Sequence, residues 1–187
     1  MSDYKKLGIM FIVGLPLIFF LLFISLFVSQ ETANESSEIV ITTTLTVPFD
    51  NKTHYSISSP FGMRIHPVEH KLKFHSGIDL STSCGTPVLA SGNGIIEEVG
   101  YNDSLGNYVY IKHELNDETI YSIYGHLLDN STIVEKGQVV MQGDKISSVG
   151  RTGVATGCHL HFTLMKNNLS WNQRDLVDPR FVVTGLK

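Results

Sequence analysis

Beyond Tyr55 the sequence runs in short blocks of β-branched and aromatic residues broken every few positions by Gly, Asn or Asp, with no long apolar stripe at the helical period. Such text can bury itself only as short strands, so it predicts a mainly β domain of antiparallel sheet. Strands are expected over 87–90, 94–100, 108–113, 119–126, 145–149 and 159–164, with hairpin turns at 92–94 and 116–117. The blocks at 108–111 and 120–124 are the densest in strand formers, and the short turn between them predicts a central hairpin.

The text upstream is different. No charge interrupts the 22 residues from Leu7 to Val28, which as a helix would span about 33 Å, enough for a hydrocarbon core of roughly 30 Å. One transmembrane helix over 7–28 is expected. A cleaved signal would carry a shorter apolar region ending in a small-x-small site, which Phe27-Val28-Ser29-Gln30 fits poorly, and no cysteine follows the run for lipid attachment. An uncleaved anchor is therefore expected. Lys5 and Lys6 precede the run and Glu31, Glu35 and Glu38 follow it, which leaves 1–6 cytoplasmic and puts the rest outside. Residues 29–55, rich in Thr, Ser, Asn and Glu, read as a tether, although 39–47 could pair as a strand. Some 25 extended residues reach at most around 80 Å, so a domain over 56–187 works close to the membrane. A formal net charge of −4 offers no basic field, and nucleic acid is not expected as a partner.

Cys84 and Cys158, the two cysteines of the chain, both fall in the exported part, where a lone pair predicts a disulfide. A closed loop of this length stabilises the fold by roughly 4 kcal/mol. The adjacency of Cys158 and His159 raises a thiol nucleophile with a neighbouring base, but a strand sends adjacent side chains to opposite faces. The segment 135–146 resembles the turn-rich loops of lipoyl and biotinyl carrier domains, with Lys145 in the place of a modified lysine; an exported domain has no evident supply of that modification.

Of eight histidines, His54, His70 and His113 read as surface or satisfied core residues. In His159-Leu160-His161 the two imidazoles fall on one face of a strand. In His75-Ser76-Gly77-Ile78-Asp79 a spacing of four returns to one side of an extended segment, and Gly77 lets the backbone bend. Neutral imidazole and carboxylate are suitable zinc ligands, and a catalytic site keeps three protein ligands and an open position. His75, Asp79 and one of the paired histidines meet that count; the spacing leaves the choice between His159 and His161 open.

In order along the chain, Ser59-Pro60-Phe61-Gly62-Met63-Arg64-Ile65-His66-Pro67, His75-Ser76-Gly77-Ile78-Asp79, Tyr124-Gly125-His126-Leu127 and Gly157-Cys158-His159-Leu160-His161-Phe162 resemble the lysostaphin/LytM family of zinc endopeptidases, over about 125 of the 187 residues. The resemblance implies an antiparallel sheet or sandwich with lipoyl-like turns. It also implies one Zn2+ per chain on His75, Asp79 and His161, with His126 and His159 as an unligated catalytic pair sharing the base and oxyanion roles. Arg64 and His66 would lie at the entrance of the substrate groove. The implied function is metal-assisted hydrolysis of cross-links or stem peptides of bacterial peptidoglycan by a membrane-anchored enzyme. The alternative is a non-enzymatic wall-binding or scaffold module of an envelope-spanning assembly for secretion, conjugation or division, against which stands the presence of all five site residues. Some members of this family are silenced by an upstream segment that occupies the metal, and Asn51 and His54 are the residues here that could do so, a reading ranked well below an open site.

Overall fold

In the computed structural model, which describes residues 44–66 and 70–186, the strand-forming blocks pair almost wholly antiparallel. The expected membrane helix over 7–28 lies outside the described residues. In chain order the strands are β1 (Leu45–Thr46), β2 (Ser56–Ser59), β3 (Gly62–Ile65), β4 (Leu72–His75), β5 (Ile78–Ser81), β6 (Pro87–Leu89) and β7 (Gly94–Asn102). They continue as β8 (Gly106–Leu115), β9 (Glu118–Leu127), β10 (Val139–Val140), β11 (Lys145–Ser148), β12 (His159–Lys166), β13 (Leu176–Val177) and β14 (Val183–Thr184). Among the described residues the one helical element is a 3-10 turn at Pro179–Phe181.

One sheet of eight strands dominates, in the order β10-β7-β8-β9-β12-β5-β2, with β13 also pairing β12. Its centre is the expected β8–β9 hairpin. Asn116 and Asp117 take positive φ of 49° and 65° in its two-residue turn, a conformation these side chains tolerate and one that matches the twist of the flanking strands. Alternation along β12 sends Leu160, Phe162 and Leu164 into the main core beside Ile78, Leu80, Val109, Ile111 and Tyr124. Burying each large apolar side chain contributes about 1.5–3 kcal/mol. In place of a second full sheet, this face is covered by two ribbons, β6–β11 and the parallel pair β1–β14. The other face carries a smaller cluster of Leu105, Tyr108, Tyr110, Ile123, Met165 and Leu176.

Two expectations need correction. Residues 92–94 close no hairpin: β6 pairs β11, while β7 pairs β8 and β10. The segment instead crosses between layers, pinned by the Ser91 amide donating to the Tyr124 hydroxyl at 2.9 Å. A side chain on Gly94 would collide with the Lys112 backbone, so this glycine serves a close approach rather than a turn. Residues 44–55, read as the end of a tether, belong to the domain, and its boundary lies upstream of residue 56. Leu45 and Phe49 are buried in the core, the Thr46 amide donates to the Ser91 carbonyl at 2.8 Å, and β1 pairs β14 at the far end of the sequence. A three-residue apolar alternation inside polar text reveals no such distant partner.

Candidate metal centre

β12 puts His159, His161 and Thr163 on the face opposite Leu160 and Phe162, and the register of the neighbouring strand separates the two histidines. His161 stands directly across from Asp79, whereas His159 faces Ser81. Cross-strand neighbours on one face lie about 4.5–5.5 Å apart at Cβ, close enough for a carboxylate and an imidazole to touch. His75 comes from the end of β4, paired with Gly62 of β3. Between His75 and Asp79 the chain passes so near β12 that a Cβ on Gly77 would overlap the Phe162 carbonyl and the Thr163 hydroxyl. Close passage, more than a bend, is what this glycine supplies.

The result is a buried triangle. His75 Nε2 lies 3.1 Å from Asp79 Oδ1, His161 Nδ1 lies 2.9 Å from the same oxygen, and the two nitrogens are 3.1 Å apart. His75 Nδ1 donates to the Pro60 carbonyl at 2.8 Å, which leaves Nε2 of the neutral ring bare. His161 Nε2 lies 3.0 Å from the Thr163 hydroxyl, which accepts its proton when Nδ1 is bare. Burial works to raise the Asp79 pKa, but hydrogen bonds and charge from His161 and His75 outweigh it, holding the carboxyl well below the usual carboxylate range. Three lone-pair donors so close together repel unless a cation lies among them. Zinc bonds of about 2.0–2.2 Å in tetrahedral geometry give ligand separations near 3.3 Å, which this triangle approaches, so the donor set fits Zn2+.

Two further rings stand beside the triangle. Regular alternation along β9 would send His126 toward the core with Tyr124. A register shift between Asn107 and Val109 and a φ of 59° at His126 turn it to the other face, a conformation costing on the order of 1–3 kcal/mol. Its ring centroid lies 4.6 Å from that of His159 and 5.8 Å from that of His161. His126 Nδ1 donates to the Thr152 carbonyl at 2.8 Å and His159 Nδ1 to the Gly157 carbonyl at 2.9 Å, an arrangement that in the neutral form of each ring leaves Nε2 bare. Burial, and then the proximity of His161 and His159, push the His126 pKa down to about 4.

These five residues lie in a groove of about 880 Å³ to which β3 and β4 contribute Arg64, Ile65 and Lys73, and β8 and the loops contribute Tyr110, Val154 and Trp171. Arg64 and His66 both line it, and Arg64 Nη2 comes within 3.7 Å of Asp79 Oδ2. Asn51 and His54 are exposed and outside the groove, so neither blocks the site. His113 is buried behind the sheet between the Asn93 carbonyl at 2.8 Å and the Ser122 hydroxyl at 2.7 Å, a satisfied core histidine. Cys84 and Cys158 form a disulfide with Cα atoms 5.3 Å apart, the latter immediately before His159. Sequence reasoning missed the groups that orient the rings. Thr163 was readable as the next same-face position after His161; the carbonyls of Pro60, Thr152 and Gly157 leave no trace in residue type.

The pattern that defines Peptidase family M23 matches residues 73–174. The peptidoglycan DD-endopeptidase ShyC of Vibrio cholerae is 39% identical over 125 residues, covering 66% of this chain and 28% of its own length. The DD-carboxypeptidase/endopeptidase Mpg of Neisseria meningitidis is 43% identical over 106 residues, covering 57% and 23%. The chain thus spans about a quarter of the length of these curated relatives. Among solved structures, a zinc containing peptidase from Vibrio cholerae superposes with a TM-score of 0.60 at 34% identity, over 72% of this chain and 39% of that one. The catalytic domain of lysostaphin from Staphylococcus simulans superposes with a TM-score of 0.58 at 30% identity, over 67% and 90%.

Proposed function

The chain belongs to peptidase family M23, and from that premise we propose that its β domain is a zinc endopeptidase that cuts D,D cross-links of bacterial peptidoglycan, outside a membrane spanned by residues 7–28. The observation that carries the proposal is the convergence of three ligand atoms within 3.1 Å of one another beside the two bare Nε2 atoms of His126 and His159.

When bound by His75, Asp79 and His161, zinc supplies Lewis acidity to the scissile carbonyl and acidifies water. The protein does the rest. His126, with its pKa pushed down to about 4, is neutral at neutral pH and can accept a proton at Nε2. His159 has its Nδ1 committed to a carbonyl in the same way. Whichever ring carries the proton can donate to the carbonyl oxygen as negative charge develops there, then deliver the proton to the departing nitrogen. The base and oxyanion roles are therefore shared by the pair.

Relatives named as DD-endopeptidases support the D,D bond over a glycine bridge. The wall to which Arg64 and Lys73 contribute supports it chemically, because stem peptides carry free carboxylates that cations attract and a polyglycine bridge does not. The Arg64 guanidinium also faces the Asp79 oxygen turned away from the histidines. A disulfide on this domain fits an oxidising compartment and so supports the outward orientation.

The test is zinc content and release of new amino groups from purified peptidoglycan by the full chain. Wild type is expected to hold about one zinc and to cut. His161→Ala is expected to lose both metal and cleavage, and His126→Ala to keep the metal while kcat falls on the order of 10²–10⁴-fold. Tight wall binding by the zinc-loaded chain without amine release would overturn the reading in favour of a wall-binding module.

A further inference from the structure

The loop over 150–158 supplies both of the carbonyls that fix the unligated histidines, Thr152 for His126 and Gly157 for His159. Its two halves are held very differently. The first half is tied down by hydrogen bonds: the Gly150 amide to the His126 carbonyl at 3.0 Å, the Thr152 hydroxyl to the Leu127 carbonyl at 2.7 Å, and the Val154 amide to the Ser104 carbonyl at 3.1 Å. Gly153 adds a backbone approach to Gly106 too close for any side chain. In the second half, among the described residues, Thr156 makes no hydrogen bond and Gly157 makes one, the bond to His159 itself. Before β12 opens at His159 opposite Ser81, what ties this half to the body of the domain is Cys158, bonded to Cys84 and packed against the main core. The Cys84 end is itself fixed, because the neighbouring Gly85 amide donates to the Val149 carbonyl at 2.8 Å and the Val149 amide returns to Thr86 at 2.8 Å.

We infer that the Cys84–Cys158 bridge is a positioning device for His159: it holds the Gly157 carbonyl against Nδ1 and so keeps Nε2 bare and aimed at the metal site. A carbonyl free to swing away would let the ring rotate and exchange tautomers, putting a hydrogen where a lone pair is needed. His126 serves as an internal control, since its carbonyl lies in the half of the loop that does not depend on the bridge. The consequence for catalysis rests on the endopeptidase reading above; the consequence for the ring does not.

The experiment compares the full zinc-loaded chain with its Cys84→Ser/Cys158→Ser double variant, well below the melting temperature of both and after checking that each retains zinc. The 15N imidazole spectrum, assigned with His159→Asn and His126→Asn, reports the tautomer of each ring. Kinetics on a soluble cross-linked muropeptide dimer report kcat and KM separately. In the double variant the His159 signal is expected to leave the Nδ1–H tautomer while that of His126 stays. With it kcat falls roughly ten- to hundred-fold, the scale of an ångström of misplacement, and KM moves less than about three-fold. An unchanged His159 signal overturns the inference whatever the kinetics, and so does a variant whose kcat equals that of a cutting wild type. A shifted His159 signal in a chain whose wild type never cuts upholds the positioning role and sinks the endopeptidase reading instead.

Discussion

His113 and His126 have pKa values pushed down to about 4, with burial the first cause in both, yet the two rings do opposite work. His126 presents a bare nitrogen to the groove, whereas His113 is closed into a chain of hydrogen bonds through Ser122 to the Tyr124 hydroxyl. The His113 ring is therefore a stability device with a pH signature. An unfolded histidine titrates near 6.5, so between about 6.5 and about 4 the unfolded chain takes up a proton that the folded ring refuses. Stability is full above that window and falls as pH drops through it, by up to a few kcal/mol. In metal-free protein, the drop in urea midpoint from about pH 7 to about pH 4.5 is expected to be clearly smaller in His113→Gln than in wild type; equal drops would refute the assignment. Residue types alone made His75, Asp79, His159 and His161 readable, because imidazoles and a carboxylate at spacings of two and four announce a shared face; His126 entered only through the family resemblance. They could not separate His159 from His161, since that distinction lies in the register of β5 against β12. Nor could they show that His126 reaches the site only through a left-handed backbone that interrupts the alternation of β9.

The strands with the densest β-branched and aromatic content were legible almost to their ends: expectations over 108–113 and 119–126 became Gly106–Leu115 and Glu118–Leu127. Others escaped for different reasons. β3 and β4 carry Arg64, Lys73 and His75 on one face and leave Met63, Ile65 and Leu72 exposed on the other, so no polar-out, apolar-in alternation marks them. β1 falls inside the 39–47 stretch read as able to pair, but its partner, β14, was not legible, because it is at the opposite end of the chain and each contributes two residues. Short as it is, β1 brings the fully buried Leu45 into the main core beside Phe49 and Val183. Leu45→Ala is expected to cost about 2–5 kcal/mol in urea denaturation, as large-to-small changes in packed cores do. A loss below about 0.5 kcal/mol, the size typical of a surface substitution, would return residues 44–55 to the status of a tether.

At the scale of the whole molecule, the ligand set joins parts that hydrogen bonding keeps separate. β3 and β4 pair with each other and with no other described strand, while Asp79 and His161 sit side by side in the eight-stranded sheet. With His75 at the end of β4, a zinc ion held by this triangle would cross-link a ribbon with an exposed outer face to the rigid body of the domain. Binding that favours the folded state stabilises it by RT ln(1 + [L]/Kd), about 2.7 kcal/mol at a hundredfold excess of ligand over Kd. For a chain of this size that amounts to a melting shift of roughly 5–10 °C on chelation. The loss should not be uniform. Amides of Gly62–Ile65 and Leu72–His75 are expected to lose hydrogen-exchange protection first when zinc is removed, with those of β8 and β9 unchanged. Asp79→Asn should show the unprotected ribbon already in the presence of zinc. If chelation left the ribbon as protected as before, the hairpin would be held by its own packing and the metal would serve chemistry alone.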